Sequence, residues 1–148
     1  LKKPEPGLRA RALRYLARRE HSRAELARKL APHAGDEAEL EVLLDDFERK
    51  GWLSEARFAE QLIHARRGKY GAQRIAAELR EKGVAEEAIE AALRHLKESE
   101  LEAARAVWAK KFGRPPADAR EQARQMRFLA GRGFSQGVIW KVLRQDDN

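Results

Sequence analysis

Five residues recur at one fixed spacing: Arg74, Leu79, Gly83, Ile89 and Leu93 reappear 50 positions later as Arg124, Leu129, Gly133, Ile139 and Leu143. A repeat of this length constrains the fold more than any single motif, because each unit is one supersecondary module that completes its core against a neighbour. The first third of the chain follows the pattern less strictly. Leu26 stands 53 residues before Leu79, and the linker Ala31 to Glu39 is longer than Val84 to Glu87.

Every long segment carries apolar residues at helical spacing, and none shows the period-two alternation of a hairpin strand, so the expected fold class is all-α. Leu8, Ala12, Tyr15 and Leu16 stripe the first helix; Ser22 with Glu25 is a capping-box signature for a second carrying Leu26 and Leu30. Pro32 to Gly35 ends that helix, and Leu40, Leu43, Leu44 and Phe47 mark a third. Gly51 followed by Trp52 fits a helix-ending glycine whose apolar successor folds back on the last turn. Ser54 and Ser135 are expected caps of the fourth and ninth helices. The sixth helix is expected to hold Ile89, Ala92, Leu93 and Leu96, and the seventh Leu101, Ala104, Val107 and Trp108. The prediction is three tandem three-helix, helix-turn-helix-like repeats at residues 8–53, 54–97 and 98–145, stacked in an elongated or curved array.

Composition narrows the function. With no cysteine, a disulfide scaffold and a thiolate zinc site are excluded, and no apolar run approaches the roughly 18 residues of a membrane span. Leu1 to Gly7 has no apolar leader region, so a soluble cytoplasmic protein is expected. The net charge of +7 divides unevenly: +5 over residues 1–20, −3 over 21–53, +2 over 54–97 and +3 over 98–148. Such a balance points to a polyanion partner that leaves the acidic stretch untouched.

Enzyme signatures are missing. His21, His33, His64 and His95 fall in no metal-ligand spacing, and there is no P-loop. Asp45-Asp46 and the run Asp36, Glu37, Glu39, Glu41 diverge around a helix and read as a solvated acidic face. Neither an enzyme nor a cofactor is expected.

Basic residues are the better candidates. Arg66, Arg67, Lys69 and Arg74 surround the turn Gly68-Lys69-Tyr70-Gly71, a G-x-x-G of the kind that clamps nucleic-acid backbones. Cations at a helix N-terminus oppose its dipole, so an external phosphate is expected there; a plain helix-helix turn with glycines at positive φ accounts for the same residues. Arg120, Arg124 and Arg127 form a stripe on the eighth helix, as Arg11, Arg14 and Arg18 do on the first, with Lys110, Lys111 and Arg114 extending the surface. Together these thirteen positions are the expected contacts to a nucleic-acid phosphate backbone, salt-sensitive and blind to base sequence. Trp52, Phe58, Trp108, Phe128 and Phe134 fit core or cap positions, whereas Trp140 lies beside its apolar stripe and is a candidate for exposure.

The segments Arg18-Arg19-Glu20-His21-Ser22-Arg23-Ala24-Glu25-Leu26, Gly51 to Ala59, Gly71 to Val84 and Phe128 to Ser135 resemble, in order, the successive signatures of the RecX family of bacterial regulatory proteins. The resemblance covers essentially the whole chain and departs at Ser54-Glu55, where the family often has an Asn-Asp or similar pair. It implies a non-enzymatic regulator, here expected to be monomeric, that lies in the groove of the RecA filament on single-stranded DNA. Inhibition of RecA ATPase, strand exchange and repressor cleavage, and so modulation of the SOS response, is implied with it. A helix-turn-helix transcription regulator reading duplex sequence is the alternative from a different class. It is disfavoured because the third helices, Asp36–Lys50 and Glu86–Leu96, are rich in acids rather than base-reading side chains.

Overall fold

The computed structural model describes residues 5–145. Among them lie nine α-helices: α1 Leu8–Arg18, α2 Arg23–Leu30, α3 Glu37–Arg49, α4 Glu55–Arg66, α5 Ala72–Glu81, α6 Glu86–Leu93, α7 Leu96–Lys111, α8 Ala119–Gly131 and α9 Gln136–Arg144. One 3-10 turn, Ala31–His33, follows α2, with Pro32 inside it. The Ser hydroxyls at 22, 54 and 135 each accept the backbone N–H three residues on, as expected. Asp36 and Asp118 do the same for α3 and α8.

Two local expectations change. The Glu25 carboxylate does not return to Ser22 to close a capping box; the two nitrogens of the Arg19 fork take it, at 2.9 and 2.8 Å. Leu96 belongs to α7 rather than α6, because a turn at Arg94-His95, both with helical φ and ψ, divides one apolar run into two helices. The expected boundary between 97 and 98 therefore falls in the first turn of α7.

Three separate apolar cores follow, one per three-helix unit. Ala12, Leu26, Leu30, Leu44 and Phe47 fill the first; Ala59, Ile75, Leu79 and Ile89 the second; Ala104, Leu129, Phe134 and Ile139 the third. Units of this size bury too little surface to be robust alone, so the joints between them matter. The accessible surface of 9876 Å² exceeds the roughly 7,700 Å² of a compact chain of this mass, consistent with an open array.

The joints repeat one design. Between the first and second units, the Ser22 hydroxyl donates to the Lys82 carbonyl at 2.6 Å and the Arg23 N–H donates to Glu55 Oε1 at 2.9 Å. Between the second and third, the Gly71 N–H donates to the Arg132 carbonyl at 2.8 Å and the Ala72 N–H to Glu100 Oε1 at 3.3 Å. In each joint the N-terminus of one unit's second helix rests on the C-terminus of the next unit's second helix. Thus α8, α5 and α2 meet end to end, each N-terminus against the next helix's C-terminus.

Inside the third unit, the buried Gln125 is the main polar tie. Its Oε1 accepts the Trp108 indole N–H at 2.8 Å, and its Nε2 donates to the Arg114 carbonyl at 3.1 Å. Gln125→Leu leaves both partners unsatisfied, and urea unfolding followed by tryptophan fluorescence is expected to show a loss of about 1–3 kcal/mol.

Candidate nucleic-acid interface

The turn expected to hold an external phosphate is closed by the protein itself. Neither Gly68 nor Gly71 has positive φ; Gly71, at φ −87°, caps α5. A Cβ at Gly71 would lie 2.4 Å from the Gly133 carbonyl oxygen, so glycine is needed there for close backbone approach. The first N–H groups of α5 are taken by Arg132, Glu100 and Gly133, at 2.8, 3.3 and 3.2 Å. The expectation of a free anion site at this helix N-terminus is therefore corrected. Arg66 is likewise committed, its fork bound to the Glu78 carboxylate at 3.0 and 3.1 Å.

The remaining cations gather beside that turn. Lys69 from the turn, Lys110 and Lys111 from α7 and Arg132 from the end of α8 line an open cleft of about 650 Å³ between the second and third units. Tyr70, Val107 and Phe128 form its apolar wall, and no carboxylate lines it. The Arg74 guanidinium lies 4.1 Å from the centre of the Tyr70 ring and donates to the Gly131 carbonyl. Arg132 stacks over Tyr70 and Phe128 at 5.2 and 5.3 Å. Among the described residues none of Lys69, Arg74, Lys110, Lys111 and Arg132 has a carboxylate within salt-bridge distance.

The other expected contacts spread outward. Arg120, Arg124 and Arg127 are exposed along α8, with Arg124 3.4 Å from Glu121 and stacked over Phe112 at 5.5 Å. Arg67 and Arg114 are exposed. On the first unit Arg14 and Arg18 are exposed, while Arg11 donates to the Pro6 carbonyl and reaches Glu5 at 3.9 Å. Sequence reading missed Arg132; Phe128, expected at a core or cap position, does pack against the third core and also lines the cleft. Trp52 is 43% and Trp140 36% exposed, Trp52 packing its edge on Phe47 as the helix-ending motif requires.

The acidic stretch is largely consumed within the first unit. Arg23 grips Glu41, Asp45 and Glu48 at 2.6, 2.7 and 3.0 Å, and Asp46 holds Arg9, Arg49 and Lys50 at 3.1, 3.1 and 2.9 Å.

Acid sensitivity is built into the first joint. Burial alone would raise the Glu25 pKa, but the Arg19 fork, aided by Lys82 at 3.7 Å, overcomes it and lowers the value to about 2. His21 is buried, its Nδ1 bonded to the Arg19 carbonyl and its Nε2 accepting from Lys29, and burial lowers its pKa. Both groups bind protons more readily when unfolded, so their contributions are full at neutral pH. His21's share is lost as pH falls through its unfolded value of about 6.5, and Glu25's between about 4.5 and 2. Thermal melts from pH 7 to pH 3 are expected to show a stepwise decline, with Glu25→Gln flattening the lower step by roughly 1–2 kcal/mol, a value reduced for the half-exposed Arg19.

No cluster of three or more His, Cys, Asp or Glu able to hold a metal exists among the described residues, and no helix there is long and apolar enough to cross a membrane. Fold and cleft define a tandem array of three-helix units with a basic joint. Family models of the first, second and third three-helix domains of RecX match residues 9–45, 54–93 and 98–143. Regulatory protein RecX of Leptothrix cholodnii is 55% identical over 99% of this chain and 93% of its own length. That of Ralstonia nicotianae is 49% identical over 95% and 88%. A crystal structure of RecX from Lactobacillus salivarius superposes with a TM-score of 0.83 at 20% identity, covering 95% of this chain and 94% of the other, a likeness of fold. The chain belongs to the RecX family of regulatory proteins.

Proposed function

We propose that this protein is a negative regulator of RecA that binds the RecA filament on single-stranded DNA and inhibits its ATPase, strand exchange and SOS co-protease activity. The observation that carries this reading is the match of all three RecX domains in order along a chain that gathers four cations without a lining carboxylate at one joint. The protein acts as a monomer in the cytoplasm, without catalysis of its own or a cofactor. Its three units, at residues 8–53, 54–97 and 98–145, engage the filament as one array.

The filament presents phosphates and protein charges together, which suits an array with a basic joint between its second and third units and, in its first, an acidic helix paired with that unit's own arginines. Acid-rich α3 and α6 are poor readers of base edges, which argues against a duplex-reading role. Charge reversal at Arg120, Arg124 and Arg127 is expected to weaken filament binding at least tenfold and to shallow its salt dependence. Anisotropy of a labelled filament at several salt concentrations measures both. An unchanged affinity and slope would reduce that stripe to a solvated face.

A further inference from the structure

The two joints share one frame and carry opposite chemistry. The helix caps Ser22 and Gly71, the glycines Gly83 and Gly133, and the capping carboxylates Glu55 and Glu100 fix which positions correspond. On that frame Lys82 corresponds to Arg132 and Arg66 to Lys111, so two of the three cations are kept, while Arg19 corresponds to Gly68. Glu20 corresponds to Lys69, Glu25 to Arg74 and Glu78 to Phe128. Each of the three carboxylates that line the first cleft is replaced in the second joint by a cation or an aromatic ring, while the capping carboxylate Glu55 is kept as Glu100.

The consequence is visible in the two clefts. The first, about 260 Å³, is lined by Arg19, Arg66 and Lys82 together with Glu20, Glu25 and Glu78. Its charges cancel internally, through Arg19 with Glu25, Arg66 with Glu78 and Lys82 with Glu25. The second, about 650 Å³, holds four cations and two rings with nothing to neutralise them. Its volume lies in the range of small-ligand sites, and the first lies below it.

We propose that the cleft between the second and third units is a site for an unpaired nucleotide of a single strand, deepening the reading of this protein as a ligand of a single-strand filament. Lys69, Lys110 and Lys111 take the phosphates, while Tyr70, Phe128 and the Arg132 guanidinium supply flat faces for the base. Rings and guanidinium planes both stack on bases, so a ligand carrying phosphate and a free π-face matches both kinds of group in the cleft, its base taking the place of the Arg132 and Lys111 heads that lie over Phe128. A duplex offers the phosphates without that face, and an acidic peptide offers charge alone. An occupant here touches both units and locks the joint.

The test needs no RecA, so its failure is separable from failure of the regulatory reading. The full chain is titrated by anisotropy against a labelled twelve-nucleotide oligothymidine, an abasic strand of the same length and the corresponding duplex. Expected is at least fivefold tighter binding of oligothymidine than of either competitor. Lys110→Glu with Lys111→Glu should lose tenfold or more, and Phe128→Leu should abolish the preference for bases while leaving abasic binding unchanged. Strands containing 5-bromouracil should photocross-link to peptides carrying Tyr70 or Phe128. Equal binding of the abasic strand, tighter binding of the duplex, competition by polyglutamate as effective as by oligothymidine, or cross-links confined to other peptides would each overturn the proposal.

Discussion

Gly133→Ala is expected to destabilise the protein by about 2–4 kcal/mol. Gly133 adopts φ +91°, which alone costs a side chain roughly 1–2 kcal/mol. The new Cβ would also lie 2.4 Å from Arg74 Cβ and 2.6 Å from the Arg74 nitrogen. Backbone on both sides cannot yield, so the joint must open and strain the Gly71–Arg132 and Gln73–Gly133 hydrogen bonds. Gly83→Ala is expected to behave alike, since its Cβ would meet Ala24 Cβ at 2.5 Å. Gly51→Ala separates strain from collision, because Gly51 shares the positive φ, at +76°, with nothing within 4 Å. It should cost only about 1 kcal/mol in urea unfolding. If all three cost the same, the joints are not close-packed in solution.

Leu129→Ala is the second large effect, expected at about 3 kcal/mol within the usual 2–5 for a buried leucine. Leu129 is fully buried in the third core, and its carbonyl accepts the Phe134 N–H at 3.2 Å as the chain turns out of α8. Since each unit has its own core, the loss falls first on the third unit and the array ceases to unfold as one. Tryptophans report this directly: Trp108 and Trp140 lie in the third unit and Trp52 in the first. In a Trp52→Phe background the Leu129→Ala transition should shift to lower urea than the helicity lost by the whole chain. Coincident transitions would show that the units unfold together.

Local features were legible in the sequence because their causes are local. Serine caps, the Gly51-Trp52 ending and the 50-residue recurrence each involve residues within one turn or one repeat. What escaped depends on partners far along the chain. Arg66 and Glu78 are 12 positions apart across a turn, outside any helical spacing rule. Gly71 needs to be glycine because of Gly133, and the α5 N-terminus is closed by Glu100, contacts that exist only once two units dock. Phe128 has core spacing and yet edges the cleft, and Arg132 sits among helix-ending residues where a cation is unremarkable. The 50-residue offset already pairs Glu78 with Phe128 and Lys82 with Arg132; aligning the repeats on their caps as well is the signal that would have paired Glu25 with Arg74 and Arg66 with Lys111.

The most direct test of the regulatory reading is the single-stranded-DNA-dependent ATPase of RecA with this protein titrated in, beside its binding to the same DNA without RecA at several salt concentrations. The account predicts inhibition at protein concentrations too low to coat the bare DNA. An unaffected ATPase together with tight binding to one duplex sequence would contradict it.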